Sequence, residues 1–375
     1  MTRRTVTYEI RTNRPGRVVE GVRRQLRSDT RSGLVFVSGE LSSVLDEVAE
    51  ELARATPGVN WLILPTLGVL TERGEIGSEP AATALLSGLL FRNIVASKAD
   101  PAFGALICEH LDQKPGATAF VGVRGGEDSH DGWLDHVDHH FRDRSVRIFG
   151  GGLLPNQAVC AVEDGRVRSG AAACTIIPAG TPGRFRTSAA CRLISPLMVV
   201  TQTRGPSICE LDGGLALERL NEATSELTDQ PLVLLAVAAG ENPLSAQGRH
   251  LVLRAIHGVD PGRGALIFDE AIPEGARVAF AVRDAHASRR DLEAQMNALR
   301  LECAGAVPEF GILVNCKGRG VALYQSDNVD LRLIKRNFPD MPLIGMHSTF
   351  EIGPFSGRTV PQIYSAVVGV FCRPS

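Results

Sequence analysis

The sequence predicts an α/β protein, because three stretches each run helix, strand, helix, strand, end at glycine and then pass into further strands. In the first, Val18, Val19, Val22 and Leu26 form a stripe with helical period, and the compact run Leu34–Val37 reads as a buried strand. Val44, Leu45, Val48 and Leu52 predict a second amphipathic helix. Ser43 is its expected start, Asp46 and Glu47 sit in its first turn, and Pro57–Gly58 is its stop. Trp61–Leu64 is the next strand. Such an order argues for mostly parallel pairing.

The second stretch places helices near 101–112 and 131–143 and strands at Ala119–Val123 and Val146–Phe149. The third has a helix marked by Leu292, Met296, Leu299 and Cys303, and a strand at Phe310–Val314. A shorter helix through Leu331 and Ile334, capped by Ser326 or Asp327, and the strand Pro342–Ile344 complete it. Long strands follow each glycine: Ala82–Leu86 after Gly68, Ala158–Val162 and Ala171–Ile176 after Gly150–Gly152, and Tyr364–Phe371 after Gly345. Glu75-Ile-Gly77 and Glu351-Ile-Gly353 recur shortly after the strand-terminal glycine, at offsets one residue apart. The pattern is a degenerate internal repeat. It predicts two related halves with mixed sheets packed against helices, an αββα-like layered sandwich being one arrangement of those layers.

Between these units, Leu197–Val200 and Leu232–Val237 read as strands, Leu211–Leu217 as a turn entering a helix, and Gly240–Gly248 as an exposed connection. The runs Leu251–Ile256, Gly264–Phe268 and Ala276–Val282 read as an antiparallel meander. A cut near residue 212 divides the chain into 1–212 and 213–375.

Composition narrows the function. The 375 residues are 44% hydrophobic and 22% charged, the make-up of a globular protein and not of a disordered, collagenous or coiled-coil chain. A formal charge of -2 is too balanced for a protein that binds by neutralising phosphates, so nucleic acid is not an expected partner. Eight scattered cysteines form no C-x-x-C pair, and most lie in apolar runs, which predicts reduced thiols and a cytoplasmic protein. The N-terminus shows no export signal, and no apolar run is long enough to span a membrane.

The ordered set Arg254-Ala-Ile-His-Gly-Val-Asp260, Ile272-Pro-Glu-Gly275, Val282-Arg-Asp284, Gly311–Gly320, Phe338–Gly345 and Glu351-Ile-Gly-Pro354 resembles the C-terminal region of FIST domain proteins. Gly74–Gly77, Gly150–Gly152 and Ile208–Gly214 resemble the companion N-terminal region. The resemblance covers about residues 30–373 and implies an intracellular sensory module that binds a small ligand and acts through a separate signalling partner. It supplies no defined reaction. Phe350 departs from it, since the family usually has glycine before the second glutamate, and a bulky side chain there narrows a pocket.

Several constellations could carry chemistry. Asn315-Cys316-Lys-Gly-Arg319-Gly follows a buried strand, and its glycines allow a tight turn with Lys317 and Arg319 available to an anion. If the strands bearing Cys316 and His347 are neighbours, Cys316, His347 and Glu351 open toward one sheet edge, where α/β crevices lie. With Asn315, Arg319, Glu75 and Arg254 they form the expected ligand set. The same residues allow a thiol hydrolase, with Cys316 as nucleophile, His347 as base and Glu351 as orienting acid. They also allow a structural role, in which Glu351 caps backbone amides. Arg254, Arg283, Asp284 and Arg290 could clamp a carboxylate or form salt bridges. His136 and His140 share a helix face in an acidic, histidine-rich tract, either solvated or able to hold a metal. Some bacterial members of the resembled family are haem-based sensors, so His257, His286, His347 or the 130–140 group could supply an axial bond.

Overall fold

A computed structural model describes residues 5–125, 132–141, 148–227, 232–238, 251–355 and 357–374. The expected connection at 240–248 and residues 127–131 of the histidine-rich tract lie outside the described residues. Two compact units emerge: Met1–Ala189 with Asp291–Ser375, and Ala190–Arg290. The chain position near 212 falls within the second.

The first unit contains three six-stranded mixed sheets built to one plan. The first sheet orders its strands Thr5–Arg11, Ala81–Ser87, Ser32–Ser38, Asn60–Pro65, Val159–Glu163 and Arg166–Gly170. The second runs Arg92–Ala96, Ala172–Ile177, Thr118–Arg124, Ile148–Leu153, Glu351–Phe355 and Arg358–Gln362. The third runs Gly183–Ala189, Ser365–Pro374, Ala306–Cys316, Leu343–Ser348, Val69–Thr71 and Gly74–Ile76. In each, a central parallel pair is flanked on one side by an antiparallel return strand and an edge strand. On the other side lies a hairpin that belongs to a different repeat.

The exchange is cyclic. The hairpin Val69–Ile76 of the first repeat extends the third sheet, the hairpin Val159–Gly170 of the second extends the first, and the hairpin Glu351–Gln362 of the third extends the second. The three glycine-ended stretches read from the sequence are these three repeats, the third interrupted by the second compact unit. The edge strands Thr5–Arg11, Arg92–Ala96 and Gly183–Ala189, one opening each repeat, are not among the strands expected from the sequence.

Strand alternation explains the layering. Inward residues of all three sheets meet in one apolar cluster that includes Phe36, Leu64, Phe120, Phe149, Phe310, Val314, Met346 and Phe371. Phe310 stacks on Phe371 with ring centroids 4.6 Å apart. Outward residues receive helices: Val18, Val22, Val48 and Leu52 cover Val35, Val37 and Ile63, while Phe103, Ile107, Trp133 and Val137 cover Val121 and Val123. The expected helices thus form as Pro15–Gln25, Leu45–Ala55, Pro101–Asp112 and Trp133–His140. A 3-10 turn, Gly39–Val44, precedes the second, so Ser43 lies outside it, with its hydroxyl on Glu40 O.

The second unit is a nine-stranded sheet system with the helix Ala216–Thr224. The meander expected for 251–282 forms differently. Leu251–Ala255 and Arg277–Arg283 both pair with Val233–Ala238, and Gly258–Asp260 makes its own hairpin with Ala265–Ile267. Short strands tied by sequence-local turns can be re-sorted by distant partners, which pattern alone does not encode.

Candidate functional site

The parallel strands Ala306–Cys316 and Leu343–Ser348 pair Asn315 with His347 and Cys316 with Ser348. Since paired residues share a face, the polar strand ends divide into two clusters. Cys316 and Ser348 continue the inward row of Val314 and Met346, whereas Asn315 and His347 face outward. Sequence adjacency suggested one crevice for Cys316, His347 and Glu351. Alternation instead puts the thiol and the imidazole on opposite sides of the sheet.

The inward cluster is fully enclosed. Glu351 has no exposed surface; one carboxylate oxygen accepts from Ser348 Oγ at 2.7 Å, and the other from Ser365 Oγ at 2.8 Å and Ser365 N at 3.0 Å. Burial raises its pKa to about 7 against those hydrogen bonds and the pull of Arg319. Cys316 is buried beside it, and burial together with the Glu351 charge pushes its pKa up to about 12, while the Gly318 N–H points at its sulfur. Such a thiol is protonated and poorly nucleophilic at neutral pH.

The outward cluster has a closed base and a more accessible rim. At its base Arg319, with a completely buried side chain, donates Nε to Asp330 Oδ2 at 2.8 Å and Nη2 to Asp330 Oδ1 at 3.0 Å. Its remaining donors reach Tyr324 Oη and Ser188 O, and Tyr324 in turn donates to Asp330 at 2.7 Å. Asn315 donates to the same carboxylate at 3.2 Å. Arg319 holds the Asp330 carboxyl below the usual range. This bidentate pair consumes the fork that an anionic ligand would need.

On the rim stand Glu75, Lys317 and His347. Glu75 arrives from the first repeat through the exchanged hairpin and is fixed by Asn328, whose N–H donates to Glu75 Oε1 at 2.8 Å and whose Oδ1 accepts from Glu75 N at 2.7 Å. Its Oε2 lies 3.7 Å from His347 Nε2, beyond hydrogen-bonding distance. Burial raises the Glu75 pKa. The His347 ring is buried, and Nδ1 has no hydrogen-bond partner among the described residues. Burial and the Lys317 charge lower its pKa to about 4, so it is neutral at physiological pH. Lys317 is exposed, and its ammonium bonds Leu67 O at 3.1 Å.

Family profiles for the FIST N domain and the FIST C domain match residues 32–214 and 216–354 of this chain. The chain belongs to the FIST family. FIST domains are associated with sensory and signal-transduction roles. An uncharacterized protein of Mycobacterium tuberculosis strain H37Rv is 31% identical over 277 residues, covering 71% of this chain and 64% of the relative. An uncharacterized protein of Mycobacterium bovis is 32% identical over 194 residues, 49% of each chain. The matched segment thus spans less than two thirds of these relatives' length.

Phe350, expected from the resemblance to narrow a pocket, does not narrow the Glu75 rim. It packs with the second repeat's outer core, and an added Cβ on Gly152 would lie 2.3 Å from its ring. The backbone contacts Gly152 N to Phe350 O and His347 N to Gly68 O occupy equivalent places in two sheets. A large residue therefore meets a glycine in both, with the sizes reversed. By the same equivalence Glu351 corresponds to Val69, so Glu75 and Glu351 are not counterparts in space despite their shared Glu-Ile-Gly.

The other candidates lie elsewhere. Arg254 belongs to the second unit, on Leu251–Ala255, and donates to Leu253 O at 3.3 Å. In that unit Arg192 pairs with Asp284. His136 is exposed, and His140 Nε2 meets Asp112 Oδ2 at 2.6 Å. Among the described residues no group of three or more His, Cys, Asp or Glu could hold a metal. The haem candidates fit poorly: His257 is held by Asp269 at 2.9 Å, His286 is exposed, and His347 has charged neighbours instead of an apolar slot. No helix among the described residues is long and apolar enough to cross a membrane. Sequence reasoning missed Ser348, Ser365, Tyr324, Asn328 and Asp330. Asp330 was findable, because it shares a helix face with Leu333 and Ile334, where a charge needs a buried partner.

Proposed function

We propose that this FIST protein is a small-ligand sensor in which Glu75, Lys317 and His347 contact the ligand, and the Arg319–Asp330–Tyr324 network fixes the turn that presents Lys317. The observation that carries this reading is the buried imidazole of His347 beside two oppositely charged groups brought together from different repeats. The rim suits a small molecule with a cationic or donor group for Glu75 and an anionic or acceptor group for Lys317. Of the residues suggested by sequence, Asn315, Arg319, Cys316 and Glu351 support the site, while Arg254 belongs to the second unit. Binding shifts the population of conformers, which a separate signalling protein reads in a reducing cytoplasm.

Native mass spectrometry of the protein purified from cytosolic expression tests the reading. A mass excess that vanishes on denaturation is expected in the wild type and is lost in Glu75→Gln and Lys317→Ala. An excess retained by both folded variants overturns the site. The thiol-hydrolase alternative has less support, because Cys316 and His347 lie on opposite faces and the thiol is held protonated.

A further inference from the structure

Far along the third sheet from its polar strand ends, a groove of about 210 Å³ is lined by Pro182, Arg184, Glu302, Cys303, Ala306, Cys372 and Arg373. Cys303 follows the helix Ala285–Glu302, and Cys372 lies near the end of the return strand Ser365–Pro374. The strand register places Cys372 opposite Pro308, and Ala306 N bonds Cys303 O, so the turn brings both cysteines to the same end of the sheet. Both thiols border this one groove. All eight cysteines are free; Cys303 and Cys372 are buried but border the groove, whereas Cys174 is enclosed in an apolar core.

We propose that Cys303 and Cys372 form a peroxide-responsive dithiol that closes to a disulfide. Arg184, which lines the same groove, adds positive charge that favours the thiolate on Cys372. That sulfur attacks one oxygen of a hydroperoxide; the O–O bond breaks, leaving a sulfenic acid on Cys372 and hydroxide, which takes up a proton to become water. Cys303 sulfur then attacks the sulfenic sulfur, the S–S bond forms, and the departing hydroxide leaves as water with the Cys303 proton. Two thiols and one hydrogen peroxide thus give one disulfide and two waters. The groove admits a molecule as small as hydrogen peroxide, and its guanidinium stabilises the departing hydroxide. The disulfide would tether the end of the long helix to the strand that begins at Ser365, whose amide and hydroxyl hold Glu351.

The full reduced chain is treated with one equivalent of hydrogen peroxide, denatured in N-ethylmaleimide and weighed intact. Two fewer adducts than in the untreated chain are expected, with peptide mapping that joins Cys303 to Cys372 and recovery of both adducts after dithiothreitol. Cys303→Ala should yield instead a dimedone adduct on Cys372. An unchanged adduct count, or a crosslink map dominated by other cysteines, overturns the proposal; because that map is read on the wild type, it does not depend on the variant folding.

Discussion

The ends of the central parallel strands can be compared across the three repeats. The outward pair is Val37 with Pro65 in the first, Val123 with Gly152 in the second, and Asn315 with His347 in the third. The inward pair that follows is Cys316 with Ser348 in the third, and Ser38 and Thr66 take the matching places in the first, where Thr66 Oγ1 lies 3.0 Å from Val37 O as Ser348 Oγ lies 3.2 Å from Asn315 O. One backbone plan therefore tolerates an apolar or a polar strand end. Among the described residues, only the third pairs its outward polar residues with a buried Arg–Asp bond, Arg319–Asp330, and with a glutamate imported from another repeat. Polarity at a position whose counterparts are apolar costs desolvation, and such costs cluster at functional sites.

The largest effect expected on this contrast comes from Asp330→Ala, which strands a buried guanidinium and should lower stability by about 3–5 kcal/mol in urea unfolding. Arg17→Ala in the first repeat removes only an exposed pair with Glu20, and its loss should stay below about 1 kcal/mol. Similar costs for the two would erase the distinction between the repeats.

The two faces of the third sheet should respond to pH in opposite senses. The folded pKa of Glu351 is raised from 4.5 to about 7, so its contribution is greatest below about 4.5 and is lost as pH rises toward about 7. Relative to Glu351→Gln, wild-type stability should fall by about 3 kcal/mol across that window. The folded pKa of His347 is lowered from 6.5 to about 4, so its neutral form is favoured above 6.5 and stability is lost as pH falls toward about 4. Relative to His347→Gln, the wild type should lose about 3 kcal/mol in that direction. Unfolding curves recorded through both windows check the signs, and parallel slopes for the two variants would contradict the two-face arrangement.

A smaller effect sharpens the size reversal. Gly152→Ala drives a methyl into the Phe350 ring and should cost about 1–3 kcal/mol, with partial recovery on adding Phe350→Ala. Absence of recovery would mean that the glycine answers to the backbone and not to the ring.

The sequence alone carried the helix and strand alternation, because the amphipathic stripes at Val18–Val22 and Val48–Leu52 and the runs Leu34–Val37 and Trp61–Leu64 report burial directly. Of the opening edge strands, Gly183–Ala189 is polar and only partly buried and exists through its partners, whereas Thr5–Arg11 carried a readable alternation of Val6, Tyr8 and Ile10 that the sequence reading passed over. The hairpin exchange was invisible, since nothing local to Val69–Ile76 specifies a partner strand at Leu343–Ser348. At the site, the strand ends bearing Cys316 and His347 were legible as neighbours, but their faces were not. Phe310–Val314 is apolar on both sides, so it lacks the alternation that would have told inward from outward.

The most direct measurement is an NMR titration of protein labelled at histidine Cε1 and valine methyls with the small-molecule fraction of a bacterial cell extract. The account predicts a saturable shift of the His347 resonance, absent in Glu75→Gln, with the Val37 and Val123 methyls unmoved. A shift at those valines with His347 silent, or no shift at any of the three, would contradict a ligand site on the third repeat.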